Sequence, residues 1–357
     1  MTDRFKGTGL LGRRELIIGG LAAGTVGALA RPAIAQGAAS PDRPNLDKAR
    51  SETLTVWHGD QEEDVVNFLA KFTAATGVQT KQLRLLPGAA LPRLQAELRA
   101  NRSDADVYLC SDAGLMDQLR AQGHLLRYES PEYAAYPKEF VSDPVGYWAT
   151  YYVYFGAMMY SPKFVEEATA PKTWMDLLDP QWAGQIGFQN SSAGSQYNQW
   201  YLLREVVPAD YWTRLAAQKP RGYASSTQIV NDIHGGKLKI GGKVNHFQYV
   251  KAMRQGLPAK AVFPPEGTPT GNAAVGIISA TKRPDAAKVF MDYILSKEGQ
   301  LAFNTIQGSP SARADVKVQD VPSMSELKVL IAKDFADYQS SKRHAEFTAL
   351  WNKVLGV

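Results

Sequence analysis

Leu54-Thr55-Val56-Trp57-His58-Gly59-Asp60 is a short run of β-forming residues closed by a glycine and an acid. Directly after it, Val65, Phe68, Leu69 and Phe72 recur at helical spacing and the pattern stops at Gly77, so the spacing predicts a strand feeding a helix. The same unit follows twice more. Residues 78–86 form a second strand candidate before a helix that turns Leu94 and Leu98 inward. Residues 104–110 form a third, ending at Ser111-Asp112 before a helix carrying Leu115, Met116 and Leu119 and stopping at Gly123. Strands alternating with helices predict an α/β fold, with a mostly parallel sheet covered on both faces.

Ligands of such sheets collect at the carboxyl ends of the strands, where helix starts offer unpaired N–H groups. Trp57, His58, Ser111 and Asp112 stand at such ends. Asp60 and Glu63 have capping-box spacing, and Glu62 and Asp64 add further acid to the first turn. Those acids explain the cluster with His58 more simply than metal ligation does, and they leave His58 as the exposed group at the strand end. Ser111 serves equally well as an ordinary helix cap.

Residues 147–160 hold Trp148, Phe155 and five tyrosines, Tyr151 among them, and read as an extended segment. Beyond it the α/β character returns. Residues 174–178 are helical, Gly187-Phe188 is a short strand, and Asn190-Ser191-Ser192-Ala193-Gly194-Ser195 is a polar turn opening a helix. Ser191, Ser192, Gly194 and Ser195 can present hydroxyls and backbone N–H groups to an anion, or Ser195 can simply cap the helix. In residues 236–249 an apolar run of Leu238, Ile240 and Val244 leads into Asn245, His246, Phe247, Gln248 and Tyr249. Such a mixture of rings and placed polar groups suits a binding wall. It suits equally a half-buried strand running into a helix, with His246 satisfied in the core. On the first reading, His246→Ala weakens binding without unfolding the protein.

A second extended passage covers residues 261–278, and a helix with Ala287, Phe290, Met291, Ile294 and Leu295 inward follows Pro284. Phe347, Leu350, Trp351 and Val354 form one stripe near the C-terminus, expected to dock on the body. Two α/β halves joined by two extended passages predict two lobes with a ligand clamped by hinge closure, the movement falling in residues 151–155 and 265–270.

The 357 residues suffice for two cores. Arg13-Arg14, a glycine-diluted apolar run over residues 19–30 and the small-residue end Ala33-Ile34-Ala35 read as a twin-arginine export signal cleaved near Ala35. The apolar run is too short for a membrane span. Its removal lowers the net charge from +5 to +2, and no Lys/Arg run remains to follow a nucleic-acid backbone, so nucleic acid is not an expected partner. Cys110 is the only cysteine, which excludes an intramolecular disulfide. Residues 36–51, rich in Ala, Pro, Asp and Arg, read as a mobile leader. No nucleophile elbow, zincin helix, phosphate loop or zinc spacing is present, so no enzyme and no cofactor are expected.

Several of these segments resemble the periplasmic solute-binding proteins of ABC importers, in the ferric-iron-binding-like group also called extracellular solute-binding family 1/6. The resemblance lies in Leu54-Thr55-Val56-Trp57 with Gln61-Glu62-Glu63, in Ala105-Asp106-Val107-Tyr108 leading to Ser111, in residues 173–186 from Thr173-Trp174-Met175-Asp176 to Gly184-Gln185-Ile186, and in Arg283-Pro284-Asp285-Ala286-Ala287-Lys288 through Gly299-Gln300. It implies a two-lobed type II periplasmic binding protein fold with two hinge crossings, a ligand in the cleft and delivery to a membrane permease. The implied domains are residues 52–148 and 263–315 for one lobe, 149–262 for the other, and C-terminal helices over 316–357, in a periplasmic monomer. Iron binders of this group use adjacent tyrosines after an Asn-His start, where this chain has Phe247-Gln248. A hard ferric ion wants anionic oxygen ligands. The expected ligand is therefore a small organic or phosphorus-containing anion and no metal is expected, with ferric iron or its chelate as the alternative. An organic cation between Trp57, Phe247 and Tyr249 stays open, as do a secreted hydrolase and a sensor input.

Overall fold

The computed structural model describes residues 43–85, 87–100 and 102–357; the expected export signal and the first residues of the expected leader lie outside them. The remainder of that leader is a helix, α1 (Leu46–Arg50), and not a mobile strand of chain. Asn45 caps it through Lys48 N–H, the Asn45 N–H and Lys48 Nζ both bond Asp285, and Ala49 is fully buried. Buried Ala49, the bonds to Asp285 and an Arg50 Nε bond to the Thr76 carbonyl at 2.9 Å anchor a stretch that looks polar throughout.

The opening strand and helix are β1 (Thr53–His58) and α2 (Glu62–Thr76). Val65, Phe68, Leu69 and Phe72 face inward as their spacing predicts, and Phe68 and Phe72 meet Phe290, Tyr293 and Phe303 at ring distances of 5.1–6.1 Å. The units β2 (Gln79–Arg84) with α3 (Pro87–Arg99) and β3 (Val107–Cys110) with α4 (Ala113–Ala121) follow, then the short β4 (Leu125–Leu126). β1 pairs in parallel with both β2 and β3.

The 13-residue β5 (Trp148–Tyr160) is buried along its whole length. Its first part, as far as Phe155, runs antiparallel to β10 (Thr268–Ile278), and from Gly156 onward it pairs with β8 (Ile240–Asn245) and β9 (Lys260–Val262). One strand thus leaves the first lobe and enters the second. The second lobe contains β6 (Ile186–Gln189), α5 (Gly194–Leu203), α6 (Tyr211–Ala217), β7 (Arg221–Tyr223), α7 (Ser226–His234) and α8 (His246–Arg254), with β6 parallel to β7 and β8. After β10 the chain returns to the first lobe as α9 (Pro284–Leu295) and α10 (Lys297–Gln307).

The strand order is β2-β1-β3-β10-β5-β8-β6-β7. Pairing is parallel among β1, β2 and β3 and among β6, β7 and β8, and antiparallel where β10 meets β3, β4 and β5 and where β5 meets β8 and β9. A further passage, through β11 (Val329–Leu330) beside β10 and α11 (Phe335–Tyr338), brings α12 (Ser341–Leu355) onto the second lobe. There Phe347, Trp351 and Val354 are buried, and Trp351 lies 5.3 Å from Phe188 and 5.7 Å from Trp212. Among the described residues no helix is long and apolar enough to cross a membrane.

Candidate functional site

The strand ends of both lobes and the helix starts that follow them enclose a cavity of about 170 Å³. Four helix starts reach it: α2 at Gln61, α5 at Ala193 and Gly194, α7 at Ser225 and Ser226, and α8 at Asn245. The first N–H groups of any helix lack partners within it and carry partial positive charge. Here Gln61, Ala193 and Asn245 make no side-chain cap, and only Ser225 bonds forward, to the Gln228 N–H at 3.4 Å. Acids in its own first turn offset the positive end of α2, whereas α5, α7 and α8 have no acid in theirs. A side-chain carbon built on Gly194 would meet nothing within 4 Å, so the backbone at the α5 start is open to the cavity.

Two charged side chains line the cavity, Arg84 and Asp60. Arg84 Nε donates to the Asp60 carbonyl at 2.7 Å. The Asp60 carboxylate accepts from Tyr151 at 2.5 Å and from Tyr152 at 2.9 Å. Burial raises its pKa against the pull of those two bonds. Both oxygens are therefore engaged inside the protein, and no acid in their own first turns offsets the positive ends of α5, α7 and α8. Tyr152 and Tyr154 also line the cavity, and burial pushes both phenols far up, Tyr154 donating to the Ser111 carbonyl at 3.2 Å. Both phenols donate hydrogen bonds within the protein. Among the described residues no group of three His, Cys, Asp or Glu could hold a metal.

Of the residues expected at a site, Ser111, Ser192, Gly194, Ser195, Asn245, Phe247 and Gln248 line this cavity. The others lie elsewhere, each for a local reason. Trp57 is buried in a different core, with the Arg93 guanidinium 5.0 Å from its ring centre. His58, expected to be exposed, is wholly buried and bonds Gln82 at 2.8 Å, because its strand is covered on both faces. Asp112 caps α4 through the Gly114 N–H at 2.8 Å, and burial raises its pKa to about 6. Tyr151 spends its hydroxyl on Asp60 and its ring on Phe303. Ser191 donates to Asn352 at 2.9 Å, and Tyr249 packs against the smaller apolar cluster of the second lobe. His246 is buried, accepts the Phe155 N–H at 3.1 Å through Nδ1 and has its pKa lowered to about 3 by burial. Residues 236–249 are thus a strand running into a helix with the histidine buried in the core and bonded through Nδ1, and of this stretch Asn245, Phe247 and Gln248 turn toward the cavity.

Arg84, Tyr152, Tyr154, Ser225, Ser226 and Gln307 line the site without having been expected there. Ser225-Ser226 was findable: two serines ahead of the apolar stripe Ile229, Val230, Ile233 repeat the signal used for residues 190–195.

Comparison with known proteins agrees with this architecture. The family described as bacterial extracellular solute-binding protein matches residues 67–328. The chain belongs to that family. An uncharacterized protein of Haemophilus influenzae is 28% identical over 198 residues, 51% of this chain, and the chain spans only 54% of that relative. The major ferric iron-binding protein of Neisseria meningitidis is 21% identical over 267 residues, 71% of this solute-binding protein and 79% of the relative. Similar solved structures include iron-bound HitA from Pseudomonas aeruginosa (TM-score 0.73, 22% identity, 85% of this chain and 99% of that one). AfuA from Actinobacillus pleuropneumoniae with fructose-6-phosphate bound (0.75, 22%, 85% and 99%) is another. A third is the substrate binding protein of the ABC transporter from Agrobacterium tumefaciens (0.76, 18%, 87% and 97%). At these identities the likeness establishes the two-lobed type II periplasmic binding fold that the sequence implied.

Proposed function

We propose that this solute-binding protein is the periplasmic receptor of an ABC importer and that it captures a small organic anion, a phosphate monoester above all, for delivery to a membrane permease. The observation that carries the reading is the convergence of α5, α7 and α8, each without acid in its first turn, on one cavity that also holds Arg84. Such a ring of N–H donors recognises anionic oxygens without needing a metal. The AfuA structure with fructose-6-phosphate bound lends the same fold a ligand of that class.

Seven of the residues picked from sequence, Ser111, Ser192, Gly194, Ser195, Asn245, Phe247 and Gln248, belong to this ligand site in our reading. Closure turns on Phe155 and Gly156, where β5 exchanges β10 for β8, and on residues 265–270. The protein acts as a monomer, is exported through the Arg13-Arg14 signal with cleavage near Ala35, and returns its ligand unchanged instead of turning it over.

The iron reading draws support from Tyr152 and Tyr154 in the cavity wall and from the iron-binding relatives. Against it, both hydroxyls donate inside the protein and both pKa values are raised by burial. A cation held by aromatic faces is weaker still, since the Trp57 ring already faces Arg93.

A thermal-shift screen of the chain from Gln36 onward tests the proposal. A ligand at 100 times its dissociation constant adds about 2.7 kcal/mol. A shift with hexose phosphates supports the reading, and a shift with ferric iron alone removes it.

A further inference from the structure

Lys243 has no part in the site described so far. It lies on β8, two residues before Asn245, and is completely buried. Lysines are almost never fully buried unless paired, yet among the described residues no carboxylate pairs with this one. Its Nζ has one hydrogen bond, to Asn245 Oδ1 at 2.7 Å. Its stem crosses Gly156, where an added side-chain carbon would lie 3.5 Å from Lys243 Cε and 3.6 Å from Pro269. The ammonium group is thus embedded where β5 and β10 carry the chain between the lobes, directly behind a residue that lines the cavity. Burial alone acts on its pKa and lowers it well below the usual lysine value.

The bond to Asn245 has two consequences. An ammonium offers three donors and an amide oxygen satisfies one of them without cancelling any charge, so the protonated form of Lys243 gains from any negative charge that arrives nearby. The same bond occupies the oxygen that would otherwise cap α8. Asn245 stands at the N-cap and makes no cap bond, so the first N–H groups of α8 and the Asn245 amide NH₂ are left to the cavity.

We propose that Lys243 is a specificity-determining positioning residue: through Asn245 it makes the cleft select dianionic phosphate monoesters over monoanionic carboxylates. This rests on the organic-anion reading above. A dianion arriving at the cavity wall supplies the counter-charge that Lys243 lacks, and a monoanion supplies less of it.

The test titrates the parent protein, Lys243→Met and Asn245→Asp by calorimetry with inorganic phosphate, a hexose 6-phosphate and the matching hexonate at pH 7.5. Methionine fills the channel without charge, and replacing an unpaired buried ion with an apolar side chain does not weaken a fold. The expected result is a loss of about 10- to 100-fold in phosphate affinity, little change for the hexonate and no drop in melting temperature. Asn245→Asp gives the ammonium an internal counter-ion; it should melt higher than the parent and lose phosphate binding. Equal losses for phosphate and hexonate in Lys243→Met, or no loss for either, overturn the assignment and leave the anion reading standing. A parent that binds neither phosphate probe overturns both.

Discussion

Ala193→Asp separates the two roles of the α5 start. Ala193 stands at the N-cap with φ −87° and ψ 113°, the extended geometry that a capping residue adopts, and its methyl group caps nothing. An aspartate there supplies the missing acceptor for a first-turn N–H, which should add about 1 kcal/mol of stability. For a chain of this size that corresponds to a rise of roughly 2 °C in Tm. The same carboxylate faces the cavity. With an effective dielectric near 20, a unit charge about 5 Å from an anionic ligand costs about 3 kcal/mol per unit of ligand charge, more than a hundredfold in affinity. Ala193→Asn, which caps without charge, separates competition for the N–H groups from repulsion and should lose far less. Differential scanning fluorimetry and calorimetric titration with a hexose 6-phosphate give both numbers on the same samples. A variant that melts higher and still binds the phosphate as tightly as the parent would refute the helix-start account of anion recognition.

Three further predictions follow from buried groups. Burial holds Asp112 at about 6 although it caps α4. Its folded pKa is raised, so the charged form weakens the fold above about pH 6 and the penalty vanishes below the unfolded value near 4. Asp112→Asn keeps the cap and should be more stable than the parent by up to about 3 kcal/mol at pH 7.5, with no difference near pH 4 in urea melts. His246→Ala leaves the Phe155 N–H without its acceptor and opens a cavity, so about 2–4 kcal/mol should be lost at pH 7.5. This reverses the sequence-based expectation that only binding would suffer. The folded pKa of His246 is depressed to about 3, so the parent itself loses stability as pH falls from 6.5 toward 3, and the deficit of the variant should shrink over that range. Lys251 on α8 pairs with Asp64 on α2 across the lobes, the side chains being 22% and 10% exposed. Lys251→Met strands a carboxylate whose pKa burial already raises and should cost about 2 kcal/mol; a Lys251→Met, Asp64→Asn double variant that recovers none of it would contradict the pairing.

Where burial follows hydrophobic period, the fold was legible. β1 with α2 and β3 with α4 emerge from apolar runs and 3.6-residue stripes, and the α12 stripe was equally plain, with Phe347, Trp351 and Val354 buried and Leu350 only partly so. α1 was not, because a five-residue helix fixed by Asn45 and Asp285 has no period to read. The helix starts that line the cavity were legible locally, since Ser, Gly and Asn ahead of an apolar stripe mark them. Local sequence misled at His58 and His246, because a strand end and a helix start do not reveal which face meets solvent. Lys243 shows the limit most clearly. A lysine after two glycines carries no local signal of burial, and it is β5 and β10 crossing over it that bury its amine.

The most direct test of the account is calorimetric titration of the unfolded-and-refolded mature chain with a hexose 6-phosphate and, separately, with ferric citrate, while free phosphate is assayed in the same cell. The account predicts saturable 1:1 binding of the phosphate ester, no release of inorganic phosphate and no heat from ferric citrate beyond dilution. Saturable binding of ferric citrate with an absorption band in the visible, and none of the ester, would show that Tyr152 or Tyr154 ligates iron and would contradict it.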